Sequence, residues 1–260
     1  MLEEIKNLVS RAGKLLLEAD KSNYHINGKE GRGEYVTEWD LAIQNMLKEG
    51  LLSICPEAGF FGEEGEEAPP ELASGYCFIV DPIDGTSNFI RGYRHSAVSA
   101  ALSYKEEVLY GAVCNPYQDE IFYAEKGKGA FCNKTALNVV RRSLKESIVI
   151  FGTSGYDRSF AEPTFELLKN LFDRAEDLRN SGSAALDICY IASGRADIFF
   201  EFQLCPWDYA AASLILSEAG GVTETLDGKV PPLTGKSSII AATPLLLKEI
   251  KFLGIKGMNP

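Results

Sequence analysis

The sequence predicts an α/β fold of stacked helix and sheet layers. Two patterns carry that expectation. From Ser147 onward, apolar runs of strand length alternate with segments of helical period. Before that point, short apolar runs divided by charged or glycine-containing turns read as an antiparallel meander. A chain of 260 residues that is 45% hydrophobic can build one large domain or two closely packed halves. We read residues 1–260 as a single domain. It has a meander-rich half to about residue 145 and an α/β half from about 146.

In chain order, Leu2, Ile5, Leu8, Val9, Ala12, Leu15 and Leu16 recur with helical period among Glu3, Glu4, Lys6, Arg11 and Lys14. That pattern is an amphipathic surface helix and not a signal peptide. HINGKEGRGEY, with three glycines and no apolar period, reads as a mobile loop. A second helix is expected from Thr37, as N-cap, to Ile54, with Leu41, Met46, Leu47 and Leu51 on its apolar face. After the acidic loop GEEGEEAPPELASG, YCFIV is a buried strand, and AVSAALSY, VLYGAVCN, EIFYAE and GAFCN form the meander. The second half then runs strand SIVIF, helix FAEPTFELLKNLF, strand AEDLR, helix SAALDICYIASG, strand ADIFFEF and helix PWDYAAASLILSEAG. Strands GVTET and SSIIAAT and helix PLLLKEIKFL complete it.

The net charge of −11 opposes binding to nucleic acid or an anionic membrane surface. No apolar stretch is long enough to span a bilayer. Cys55, Cys77, Cys114, Cys132, Cys189 and Cys205 stand singly, several inside apolar runs, with no C-x-x-C pair. They are expected to be reduced core residues in a cytoplasmic protein.

Chemistry is concentrated in YCFIVDPIDGTSNF. The strand is expected to end at Asp81, with Pro82 and Gly85 turning the chain so that Asp81 and Asp84 project from its carboxyl end. Thr86 adds a hydroxyl, and Gly85 lets backbone N–H groups approach an anion. Phosphatases that attack with an aspartate place one residue between their two aspartates. Here Pro82 and Ile83 both intervene, which favours carboxylates gathering metal ions. Taken singly, the remaining acids have ordinary readings. Glu63 and Glu64 suit a solvated charged run, Asp208 a first-turn complement to a helix dipole, and Asp40 a capping carboxylate three residues past Thr37. His25 and His95 lie outside this set and read as structural or solvated.

The combination changes those readings. GEE, DPIDGTSNF and WDYAAASLILSEAGG, in this order and spacing, together with YVTEWD and RNSGSAALDICYIASGRADIFFE, resemble the inositol monophosphatase family of magnesium-dependent, lithium-sensitive phosphatases. The resemblance covers nearly the whole chain, with Gly65 where the family often has Ser or Thr. It implies a layered sandwich like that of the sugar phosphatase superfamily, a homodimer, and two or three Mg²⁺ ions per active site. Glu63, Asp81 and the main-chain carbonyl of Ile83 would hold one ion, and Asp81, Asp84 and Asp208 a second. Glu63 and Thr86 would position the attacking water, with Asp40 supporting the threonine. Gly85 and Thr86 would bind phosphate, and Glu201 with Gly182, Ser183 and Ala184 the hydroxyls of the alcohol. Lys29 would be a loop residue near the metals. The implied substrate is a small phosphorylated alcohol, inositol monophosphate first, with fructose 1,6-bisphosphate and histidinol phosphate as alternatives. A regulatory or assembly role with incidental catalysis is the non-enzymatic alternative.

Overall fold

The computed structural model describes residues 1–19, 26–28, 35–65 and 72–251. Helix α1 (Leu2–Ala19) buries Ile5, Val9, Ala12 and Leu16, one stripe at three- and four-residue spacing. The stretch read as a loop instead supplies two short strands, β1 (Ile26–Gly28) and β2 (Tyr35–Thr37), paired antiparallel with Ile26 opposite Thr37. Backbone pairing needs no apolar period, so composition gave no sign of it. Lys29 lies outside the described residues. Helix α2 (Glu38–Ile54) starts at a capping box in which Thr37 and Asp40 satisfy each other's orphan N–H groups. Its buried face is Ile43, Leu47 and Leu51; Leu41, expected there, is exposed because it points away from the sheet.

Strand β3 (Gly59–Gly62) pairs parallel with β4 (Tyr76–Asp84), which runs on through Pro82. A short helix, α3 (Thr86–Ile90), follows. The meander is β5 (Ala97–Tyr104), β6 (Glu107–Asn115), β7 (Glu120–Glu125), β8 (Ala130–Cys132) and β9 (Thr135–Ala136). The second half contains β10 (Ile148–Phe151), α4 (Ala161–Phe172), β11 (Asp177–Arg179), α5 (Ala184–Ala192), β12 (Ile198–Leu204) and α6 (Pro206–Glu218). It closes with β13 (Val222–Glu224), β14 (Ser237–Ala242) and α7 (Pro244–Lys251). Among the described residues, β3 to β9 form one sheet in sequence order. A second, mixed sheet has the order β11-β10-β12-β14-β13.

Alternation along the strands assigns the layers. On β4, Phe78 and Val80 pack with α1 and α2, whereas Cys77 and Ile79 face α5 and α6. On β12, Phe199 faces α5 and α6, while Ile198, Phe200 and Phe202 pack with α4 and α7. The order is therefore helices, sheet, helices, sheet, helices, with α5 and α6 in the middle. A helix buried on both sides has no polar face to spare, and α6 is apolar nearly all round. Its alanines also allow close approach, since a Cβ on Gly111 of β6 would lie 2.7 Å from the Ala211 carbonyl. Each large side chain buried in these layers, such as Leu47 or Phe199, contributes about 1.5–3 kcal/mol relative to exposure. All six cysteines are free thiols, four of them buried. No helix among the described residues is long and apolar enough to cross a membrane.

Candidate active site

The site begins with an irregularity in β4. Asp81 pairs with Ser99 and Asp84 with Ala97, so three steps along β4 match two along β5. The extra residue is a β-bulge, and Pro82, which cannot donate to a ladder, falls inside it. In a regular strand Asp81 and Asp84 would point to opposite faces. The bulge restores parity, so both carboxylates face the middle layer while Ile83 turns into the α1/α2 core.

Asp208 arrives from that middle layer. It is the third residue of α6, after Pro206 at the first turn, and its carboxylate accepts the Cys205 N–H at 2.7 Å. Trp207 packs edge-on against Phe61 of β3, with ring centroids 5.1 Å apart, which holds this helix end against the first sheet. Ligand oxygens of Asp81, Asp84 and Asp208 all lie within 4.8 Å of one another. Glu63 completes the group from the end of β3. Its N–H donates to the Val80 carbonyl, and its side chain shares a hydrogen bond with Asp81. The next residue is clamped by Gln44 of α2, which donates to the Glu64 carbonyl and accepts from its N–H.

Burial and mutual repulsion dominate the electrostatics. Burial raises the Asp81 carboxyl well above its usual range, and Glu63, Asp84 and Asp208 add to the effect. Asp208 is raised in the same way, by burial first and then by Asp84, Glu63 and Glu201. Asp84 reaches only about 6, because the Ser183 hydroxyl and the backbone N–H groups opening α5, Ala185 at 2.9 Å, stabilise its charge against burial. Oxygen-only donors gathered against their own repulsion suit a hard divalent cation, whose charge would compensate theirs.

Beside the acids lies a tight turn. Gly85 has φ +87°, and a Cβ there would lie 2.8 Å from the Gly182 carbonyl. Its turn starts α3 at Thr86. The Thr86 hydroxyl donates to the Ile83 carbonyl at 3.0 Å, with Asp40 Oδ1 at 3.5 Å. Asp40 is fully buried and also caps α2, so its two expected roles coexist.

A cleft of about 640 Å³ opens over this floor. Gly182, Ser183 and Ala184 lie on its wall with Glu201 of β12. The Glu201 carboxylate accepts the Ser154 N–H at 2.8 Å and is pushed up to about 7 by burial. It occupies the space a side chain at Gly152 would need, since a Cβ there would meet Oε2 at 1.9 Å. Thus Glu63, Asp81, Ile83, Asp84, Gly85, Thr86, Gly182, Ser183, Ala184, Glu201 and Asp208 line one cleft, with Asp40 buried behind Thr86.

Four residues in or near this cleft were not singled out in the sequence. Tyr156 is half-exposed at the mouth, and its phenol is pushed up by burial and by Asp208, Glu63, Glu201 and Asp81. Lys236 lies on the rim. Asp187, in the first turn of α5, is buried and raised by desolvation, and accepts a hydrogen bond from Ser181. Asn88 links two of the turns. Asn88 lies inside the recognised DGTSNF stretch; the others are brought in only by tertiary packing. His95 lies nearer than expected, 4.0 Å from Asp187, with burial lowering its pKa.

The model of the inositol monophosphatase family matches residues 1–253. The inositol-1-monophosphatase of Rhizobium meliloti is 35% identical over 254 residues, covering 96% of this chain and 94% of that protein. Nus factor SuhB of Pseudomonas aeruginosa is 36% identical over 230 residues, covering 86% of this chain and 84% of that protein. The solved structure of extragenic suppressor protein suhB from Bartonella henselae matches with a TM-score of 0.89 and 32% identity, covering 97% of each chain. With motifs, layers and carboxylate cluster in agreement with these matches, the chain belongs to the inositol monophosphatase family.

Proposed function

We propose that the protein is a magnesium-dependent phosphomonoesterase acting on a small phosphorylated alcohol, inositol monophosphate first, by direct attack of water. The observation that carries this reading is the approach of Asp81, Asp84 and Asp208 to within 4.8 Å, on the floor of a cleft that Gly85 and Thr86 also line. Glu63, Asp81 and the Ile83 carbonyl would hold one ion, and Asp81, Asp84 and Asp208 a second. Magnesium held there would lower the pKa of a water and offset charge on a transferring phosphoryl group.

The remaining work falls to the chain. Glu63 and Thr86 orient the water. The Thr86 hydroxyl, tied to Ile83 and Asp40, is placed to accept and pass a hydrogen bond without side-chain motion. Gly85 and Thr86 N–H groups hold the phosphate for in-line displacement. Glu201 and the Gly182–Ala184 turn receive the alcohol hydroxyls, and the raised pKa of Glu201 suits a group that can donate or accept near neutral pH. Fructose 1,6-bisphosphate and histidinol phosphate remain alternatives on the same site. The relatives named SuhB motivate a second reading, a regulatory or assembly protein with incidental catalysis.

Phosphate release with magnesium from a panel of phosphorylated alcohols is the test, with inositol 1-phosphate expected among the best. Chirally labelled phosphate ester should show inversion at phosphorus. Retention would sink direct water attack, and no release from any panel member would leave the regulatory reading in possession.

A further inference from the structure

The two turns that would hold the two ends of a substrate belong to different halves of the chain. The phosphate turn, Gly85–Thr86, follows β4; the alcohol turn, Ser181–Ala184, precedes α5. One side chain spans them. The amide nitrogen of Asn88 donates to the His95 carbonyl at 2.8 Å and to the Ser181 carbonyl at 2.7 Å. Both partners are carbonyl oxygens, so only the amide nitrogen can face them, and each of its two hydrogens has an acceptor.

Packing reinforces the link. Gly182 has φ +84°, and a Cβ there would lie 3.0 Å from the Asn88 nitrogen, so the alcohol turn rests directly on this amide. Asn88 is itself anchored, its N–H donating to Gly85 and its carbonyl accepting from Tyr93, both at 2.9 Å. Ser96 Oγ donates to the Gly85 carbonyl at 2.9 Å on the same side. A separate tie holds the metal side, because Asp84 accepts from Ser183 and Ala185 whatever happens at Ser181. The two restraints divide the turn, with Asp84 registering its helix end and Asn88 its loop end.

We infer that Asn88 is a positioning residue that sets the register between the phosphate-binding turn and the alcohol-binding turn, and so governs discrimination among alcohols. It touches neither reacting atoms nor metal ligands. The inference rests on the proposed phosphomonoesterase reading for its catalytic consequence and on geometry alone for the clamp.

The test compares wild type, Asn88→Ala and the isosteric Asn88→Asp, which keeps shape but has no hydrogen to donate. Each is assayed on inositol 1-phosphate and on 4-nitrophenyl phosphate, whose alcohol carries no hydroxyls for the 181–184 turn. Both variants should lose roughly 10–100-fold in kcat/KM on the inositol ester, keep most of their activity on the aryl ester, and retain the wild-type magnesium requirement. Equal loss on both esters, or full activity in Asn88→Asp, overturns the inference. Hydrogen exchange separates this from failure of the functional reading. Amides of residues 181–184 should exchange at least about tenfold faster in Asn88→Ala, even in a protein with no phosphatase activity, and unchanged exchange there overturns the clamp.

Discussion

Asp81 is buried and within reach of Glu63, Asp84 and Asp208. Thr86 and Glu63 line the same cleft, and under the proposed mechanism they orient the attacking water. Thr86→Ala and Glu63→Gln are therefore expected to lower kcat roughly a hundredfold or more while KM changes little, since a positioned catalytic group acts mainly in the transition state. Steady-state kinetics checks this, and a raised KM at normal kcat would reassign either residue to binding. Glu63 and Asp208 had ordinary readings singly and entered only through the family resemblance. Asp81 and Asp84 were legible in the sequence because their neighbours are local: apolar strand, proline, glycine, threonine. Asp187 and Tyr156 were not, because an Asp in a helix first turn and a Tyr in a loop carry no local mark of a shared cleft. Asn88 was in view within DGTSNF, yet its partner Ser181 is remote in sequence, and no spacing rule connects them.

At the level of elements, the helices with a clear 3.6-residue period and the meander strands were predictable from pattern. The exceptions share a cause. β3 is four residues with two glycines, β1 and β2 are three residues each, and β4 continues past Asp81 because a bulge accommodates Pro82. Each is specified by pairing with another strand and not by its own periodicity. The bulge hands the chain to Gly85, whose positive φ sets the phosphate turn. Gly85→Ala should destabilise the protein by about 1–3 kcal/mol from backbone strain, with further loss from contact with the Gly182 carbonyl, and should abolish most phosphate release. Gly75→Ala, where a Cβ meets nothing within 4 Å, is the matched control and should change neither property. Denaturant unfolding reports the first effect, and equal stability for the two variants would refute the strain argument.

For the molecule as a whole, the buried acids place an unusual sign on its pH dependence. Burial raises the Glu201 carboxyl from an ordinary 4.5 to about 7. The folded state therefore holds this proton more tightly than the unfolded state. Below pH 4.5 the group costs no stability. As pH rises from 4.5 to about 7 the unfolded chain releases this proton while the folded protein still holds it, and stability falls by about 3 kcal/mol from this group. Metal-free protein should accordingly show a falling Tm between about pH 4.5 and 7. Glu201→Gln, which keeps an oxygen to accept from Ser154, should flatten that fall and melt higher at pH 8. A variant whose Tm tracks wild type across the range would show that Glu201 does not titrate as described.

The cleft's two walls come from different halves of the chain. β3, β4 and α3 supply Glu63, Asp81, Asp84, Gly85 and Thr86, whereas the loop after β10, the turn before α5 and strand β12 supply Tyr156, Gly182 and Glu201. Such a partition lets descent act on the two walls at different rates. On the proposed reading, drift in the later segments would exchange one alcohol for another while the phosphate chemistry is inherited intact, so a lineage on this framework would acquire new substrates without passing through an inactive ancestor.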